Sequence, residues 1–376
     1  MQTRKLQQVG GGTYTVSIPK EWADDHALEA GMELHLYSHA DGSIVVRTTE
    51  RDGDDLAAVT VGIDGDRPAL VARAIQAAHA AGFETVTLVP GADGAEVGGG
   101  SGRFDDAQRR AARSVVRDLV GTDLVACRDD EITVQHLLDA GTVSVRQSVV
   151  QLEFTALSVH RTAMAAVLDG EGDAEQVRER AAEADRLARM VRRHTTRSLT
   201  AFDELDRLGV SRTDLFDYDA TARALARVAD EAVRTAEVGT ARPAGLPDEV
   251  AATVREAAED ARETVEAATT AVLDGPDAPA AHAALDRRDE TVATVEAATE
   301  ALFDPAAAPF DEGVVGPANP GVSAGETDGG APHPAELAAT TAAAGRVLDA
   351  VRRTAHCGGT VAEVALRAAV REETWE

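Results

Sequence analysis

Short apolar runs broken by glycine open the chain. Arg4–Val9 predicts a strand, Gly10-Gly11-Gly12 a tight turn, and Thr13–Ile18 a second strand rich in β-branched residues. Pro19-Lys20-Glu21-Trp22-Ala23-Asp24 predicts a short helix with proline near its first turn. Glu33–Tyr37 and Ser43–Thr48 read as two more strands around an Asp41-Gly42 turn. Over residues 54–137 the period alternates between 2 and 3.6, the mark of a small α+β module. Leu56–Ile63, Glu84–Val89, Leu124–Cys127 and Glu131–Val134 are its strand candidates. Pro68–Ala80, ended by Gly82, and Asp105–Val120, closed by Gly121, are its helices.

From about Val143 the apolar spacing stays helical. The expected helices run over 143–168, 173–200, 212–238, 248–273, 278–303 and 335–371, punctuated by Gly170, Gly209, Gly245/Pro247 and Gly275/Pro276. Within the third, Leu225, Val228, Ala229, Ala232 and Ala236 fall on one face, while Arg227, Asp230, Arg234 and Glu237 form a ridge on the other. By pattern alone that ridge is a solvated face laced with ion pairs.

The helical half repeats itself. Arg-x-Ala, six residues, then Ala-Glu-Val occurs as Arg227, Ala229, Ala236, Glu237, Val238 and again as Arg353, Ala355, Ala362, Glu363, Val364. Ala-Val-Leu-Asp-Gly stands at Ala166–Gly170 and at Ala271–Gly275. The two echoes are offset by 126 and 105 residues, so the second copy needs an insertion. Asp304–Pro334, rich in Pro and Gly and without apolar period, supplies it. Each repeat then reads as a three-helix bundle with short links, repeat one over 143–240 and repeat two over 246–376.

Composition narrows the setting. The net charge is −28, from 65 acidic against 37 basic residues, and Lys5 and Lys20 are the only lysines. Such an acidic, lysine-poor chain resembles proteins of extreme halophiles, where concentrated salt screens self-repulsion. Cys127 and Cys357 stand far apart, form no CxxC or Cys/His cluster, and read as reduced thiols of a cytoplasmic protein. No long apolar run predicts a membrane span. Gly98–Gly102 is not followed by Gly-Lys-Ser/Thr and reads as a loop. Arg109, Arg110, Arg113 and Arg117 read as an ion-paired stripe beside Asp105 and Asp106. No Ser/His/Asp, Cys/His or HExxH arrangement points to an enzyme.

Two resemblances carry the reading further. Val16-Ser-Ile-Pro-Lys-Glu-Trp22, Leu28-Glu-Ala-Gly-Met-Glu-Leu34 and Asp41-Gly-Ser-Ile-Val-Val46 are similar to the AbrB/MazE (SpoVT-AbrB) domain. In that family two chains interlock as swapped hairpins in one β-barrel, which implies an obligate homodimer through residues 1–50. Two three-helix repeats, each ending in an Arg-x-Ala…Ala-Glu-Val helix, resemble the PhoU family. Those proteins are cytoplasmic regulators of phosphate uptake that work with the phosphate ABC transporter and phosphate signalling. The order of the modules looks like an archaeal subtype. The expected fold is thus multidomain and mainly α: a swapped-hairpin barrel module, a small α+β module, and two tandem PhoU-like bundles.

The PhoU resemblance also implies a divalent or iron-type metal held by Asp/Glu-x-x-x-Asp on each second helix. Repeat one has the closing Asp185 but Ala181 at the opening position; repeat two has Asp289 but Ala293 at the close. The third-helix acid is matched by Asp230 and replaced by His356, with Glu183 and Glu290 as neighbouring substitutes. Each half lacks one ligand that a hard cation wants. For DNA, the AbrB-like module offers Arg4, Lys5, Lys20 and Arg47. Yet residues 1–50 hold more acids than bases, and Ala23-Asp24-Asp25 stands where DNA-binding relatives carry arginines. Two functions stay open. One is a non-enzymatic regulator of phosphate uptake that recognises transporter or signalling subunits; the other is an AbrB-type transcription regulator with a PhoU-like sensing half.

Overall fold

A computed structural model describes residues 3–10, 12–39, 42–48, 54–91, 102–241, 245–303 and 334–372. The expected insertion, Asp304–Pro334, lies outside the described residues apart from its last position, as does the glycine run except Gly102.

The N-terminal region forms two separate antiparallel hairpins. β1 (Gln7–Val9) pairs with β2 (Thr13–Thr15), and β3 (His35–Ser38) with β4 (Ile44–Arg47); α1 (Lys20–Asp25) lies between them. Among the described residues these strands close no barrel within one chain. The reason is supply: two short hairpins cannot surround a core. Val9, Tyr14, Val16, Ile18, Leu36 and Ile44 accordingly remain exposed. The first two strands are also shorter than expected, since Gly10 adopts a positive φ and Pro19 follows closely.

Next comes a two-layer α/β unit. Strands β5 (Ala58–Ile63), β6 (Thr85–Pro90), β7 (Thr122–Cys127) and β8 (Ile132–His136) form one sheet in the order β5-β6-β8-β7. β5 and β6 run parallel because α2 (Pro68–Ala81) crosses between them; the other pairs are antiparallel. α2 and α3 (Asp106–Arg117) bury Val71, Ile75, Ala112 and Val116 against Val86, Leu88, Ile132 and Val134. Asp105 accepts from the Gln108 backbone N–H while Gln108 answers in kind, a capping box that starts α3. Arg109 pairs with Asp106 and Asp129, so the arginine stripe begins as an ion-paired surface.

The rest is helical: α4 (Val145–Leu168), α5 (Ala174–Arg197), α6 (Asp203–Leu208), α7 (Arg212–Ala241), α8 (Asp248–Leu273), α9 (Ala278–Phe303) and α10 (Pro334–Arg371). α6 was not expected from the sequence. Ser144, Asp173 and Asp139 each accept from a backbone N–H at the start of their helix or turn. The repeats do not keep separate cores. One continuous cluster joins Val149, Leu152, Leu225 and Val228 of the first to Val265, Ala268, Val361 and Ala365 of the second. Small residues permit this contact. A Cβ on Gly358 would lie 2.8 Å from Thr264 Cγ2 and 3.0 Å from the Val265 nitrogen, so α10 approaches α8 at glycine distance. No helix among the described residues is long and apolar enough to cross a membrane.

Candidate functional site

The two motif helices, α7 and α10, pack on one another. Leu225, Val228, Ala229, Ala232 and Ala236 are buried, and Arg227, Asp230, Arg234 and Glu237 are exposed, as their phases require. Arg353 crosses the repeat boundary: its Nε lies 2.8 Å from Glu231 Oε2, and it also pairs with Asp349. Glu231 is buried at its carboxylate, with Arg234 as its other partner at 2.5 Å. The repeat offset places Arg227 in the position of Arg353, and Cys357 in that of Glu231. Arg227 does act electrostatically on Cys357, but burial dominates there and pushes the thiol up to about 11. A charge pair on one side of the pseudo-symmetric contact is therefore matched by an arginine and a neutral thiol on the other. Glu237 sits 3.5 Å from Arg178, linking α7 to α5, and Glu363 is exposed on α10.

Of the positions aligned with the family metal, Asp185 and Asp230 of repeat one come near each other, but among the described residues no third ligand joins them. Asp185 pairs with Arg189, and Glu183 accepts from Gln151 at 3.4 Å. Burial, then the neighbouring Asp185, raises the Asp230 carboxyl above its ordinary value. Asp289 lies 2.7 Å from Arg288, and His356 is exposed. Glu290 helps burial and Glu256 raise Asp260. Among the described residues no three His, Cys, Asp or Glu side chains are grouped to hold a metal ion. Arginines stand beside the acids that a cation would need. The residues present do not fit the group the resemblance implied.

Of the basic N-terminal residues, Arg4, Lys5 and Lys20 lie at the surface. Arg47 does not: it donates to the Thr200 carbonyl at 3.1 Å and lies over the Phe202 ring, 4.5 Å from its centroid. His39 Nδ1 lies 3.2 Å from Asp206 Oδ2. The second hairpin is thereby docked on the segment around α6.

The strongest polar cluster was not anticipated. It lies where α5 meets the α/β unit and α6. Arg193 is 1% exposed, yet its guanidinium bonds only to neutral carbonyls: His79 at 2.7 Å, Gly82 at 3.2 Å and Phe83 at 2.9 Å. These are the last carbonyls of α2 and its cap, the negative end of a helix. Gly82 has φ +100, and a Cβ there would meet Arg197 Cβ at 3.2 Å, so the cap needs glycine on both counts. Burial and the adjacent Arg197 bring Arg193 down to about 10, still cationic at neutral pH. Arg197 donates to Gly82 O, to Glu84 at 2.6 Å and to Glu204 at 3.0 Å. His194 Nδ1 lies 2.6 Å from Glu204 Oε1. Burial opposes ionisation of Glu204, but His194 and Arg197 outweigh it and hold the carboxyl below its usual range. Burial, aided by Arg193, takes His79 and His136 down to about 3, so both rings are neutral. A cavity of about 200 Å³ opens against this cluster, with Arg207 also at its wall.

The signal for this cluster was faint. Ala184, Ala188 and Val191 run in apolar phase on α5, and His194 continues that phase as a buried polar residue. The carbonyl partners of Arg193 lie up to 114 residues away.

Comparison with known proteins adds two likenesses. Residues 7–54 match the family described as antidote-toxin recognition MazE, bacterial antitoxin, giving the chain an N-terminal MazE/AbrB-type domain. The crystal structure of PhoU from Pseudomonas aeruginosa is similar at 18% identity, over 61% of this chain and 96% of that one, with a TM-score of 0.44. No curated protein matches the chain in sequence.

Proposed function

We propose that this protein is a non-enzymatic, cytoplasmic regulator of phosphate uptake and phosphate homeostasis that works as a homodimer. It recognises phosphate transporter or signalling subunits through its helical half. The observation that supports the reading is the packing of α7 on α10. The duplicated Arg-x-Ala…Ala-Glu-Val helices, on which the PhoU resemblance rests, meet across the repeat boundary through Arg353 and Glu231. Their outer ridges, with Glu237 and Glu363, remain at the surface for a partner.

The N-terminal module serves dimerisation in this reading. Its apolar strand residues are exposed in a single chain and call for a second copy. Arg47, one of four candidate DNA contacts, is engaged inside its own chain. Replacing Arg4, Lys5 and Lys20 together by Gln should leave dimer mass and partner capture unchanged. Replacing Ile18 and Leu34 by Asp should give monomers, because a charge in a small shared core has no partner. The deciding experiment pairs capture of phosphate transporter subunits from cells at native salt with chromatin immunoprecipitation. Palindromic genomic peaks that vanish in the triple-Gln protein, with no transporter subunit captured, would overturn this reading in favour of a transcription regulator.

A further inference from the structure

The outer face of the α/β unit has a charge at odds with the rest of the chain. α3 exposes Arg110, Arg113 and Arg117, and α2, packed beside it, exposes Arg73. Asp106 is the one exposed acid on either helix, and it is bonded to Arg109. Arg110 and Arg113 act on Asp106 only at a distance, through charge. Among the described residues none of the four exposed arginines forms an ion pair, whereas exposed arginines elsewhere do, as Arg178 does with Glu175 and Arg255 with Asp169. A positive helix face stands out on a chain of net charge −28.

The spacing of that face has a counterpart. Residues at i, i+3 and i+7 of a helix lie within about 60° of its surface and span about 10 Å. Among the described helices, α3 alone has three exposed arginines at that spacing. α8 alone has three exposed acids at it, Glu256, Glu259 and Glu263, and Glu266 continues the row. Arg262 pairs with Glu259 and Glu266, and Arg287 lies 3.7 Å from Glu263. Four carboxylates against two guanidiniums leave the row negative. α3 belongs to the core of the α/β unit and α8 to that of the helical half, and no ion pair joins the two helices among the described residues.

We propose that the arginine face of α3 docks on the glutamate face of α8 in a second copy of this chain. The contact joins two different surfaces. It closes into a pair where both halves form about a two-fold axis, and otherwise it propagates. It goes beyond the regulatory role proposed above and does not depend on it. Salt decides when it forms. Two chains of net charge −28 repel as wholes, over about 10 Å at 0.1 M salt but only about 3 Å at 1 M. Arginine and carboxylate in contact are about 2.7–2.9 Å apart, inside even the shorter length. Molar KCl thus removes the repulsion and spares the contact pairs.

The scarcity of lysine makes the test specific. In a Lys5→Arg, Lys20→Arg background, Arg113→Lys leaves α3 with the only side-chain amine in the chain. The full-length protein is treated in molar KCl with a carbodiimide, which condenses an amine and a carboxylate to an amide with loss of water. A product of twice the chain mass on a denaturing gel reports coupling between copies, and its peptide map identifies the acid. The α3 amine should be joined to Glu256, Glu259 or Glu263. Replacing those three by Gln should abolish the product, and the exposed positions leave the fold intact, which the melting curve checks. The yield should fall severalfold when KCl is lowered from about 1 M to about 0.1 M. Absence of the product at molar salt would overturn the proposal, as would a link to acids off α8 or a yield that the Gln substitutions leave unchanged. Retention of the unsubstituted protein on duplex DNA or phosphatidylglycerol vesicles, without coupling to α8, would assign the face to a polyanion and overturn it too.

Discussion

At the scale of single residues, burial decides which polar groups are charged, and Glu153 shows the consequence most directly. It sits on α4 facing α8, and burial, then Glu266 and Asp274, raises its carboxyl to about 7. A folded pKa above the unfolded value of 4.5 means that the native state holds the extra proton. The stability this provides is complete below about pH 4.5 and is lost as pH rises through about 7. Glu153→Gln should therefore stabilise the protein at pH 8, on the order of 1 kcal/mol once partial exposure is discounted, and change little at pH 4. Urea unfolding at the two pH values checks this; an equal effect at both would show that Glu153 does not titrate in this way. Little of this chemistry was legible beforehand. The ridge of Arg227, Asp230, Arg234 and Glu237 could be read from a helical period because its phase is local. Arg193 could not, since its carbonyl partners on α2 belong to a segment about 110 residues earlier and carry no side-chain signature.

At the scale of elements, most helices announced themselves, because long amphipathic runs with Gly and Pro stops leave few alternatives. α8 and α9 occupy the spans that the pattern predicts. The miss was short: α6 has only six residues, too few for a period to register, while β1 and β2 form within their expected spans but keep only three residues each. What the pattern lacked altogether was the asymmetry between repeats. α7 and α10 share a motif, but Arg353 meets the buried Glu231 whereas Arg227 faces the thiol of Cys357. Removing Arg353 deprives a buried carboxylate of one of its two cations, and the helix contact crosses the repeats at that point. Arg353→Met should cost about 1–2 kcal/mol, while Arg227→Met should stay within about 0.5 kcal/mol. Urea unfolding in KCl compares the pair. Equal losses would mean that both arginines act through packing of their aliphatic stems and not through charge.

At the scale of the whole molecule, the acidic excess acts against everything the cores achieve. The six long helices share one apolar cluster built largely from Ala and Val, which buries less area per residue than Leu or Phe would. Against it stand 65 acidic and 37 basic residues. Many arginines are engaged with acids one helical turn away, as Arg189 is with Asp185 and Arg178 with Glu175. Such exposed pairs each contribute about 0–1 kcal/mol, and salt weakens them. The unmatched acids repel one another over longer distances, and there screening works in favour of folding. The Debye length falls from about 10 Å at 0.1 M salt to about 3 Å at 1 M, shorter than most of these separations. The two effects oppose, and the larger one is set by the 28 surplus negative charges, since each of them interacts with many others. Melting temperature should therefore climb by about 10 °C or more between 0.1 and 2 M KCl, which corresponds to several kcal/mol for a chain of this size. Replacing a set of exposed acids such as Glu256, Glu259 and Glu263 on α8 by Gln should flatten that slope. A melting temperature that falls with KCl would show that the local arginine pairs outweigh the repulsion. One that rises just as steeply in the Gln-substituted protein would assign the effect to water structure and not to charge.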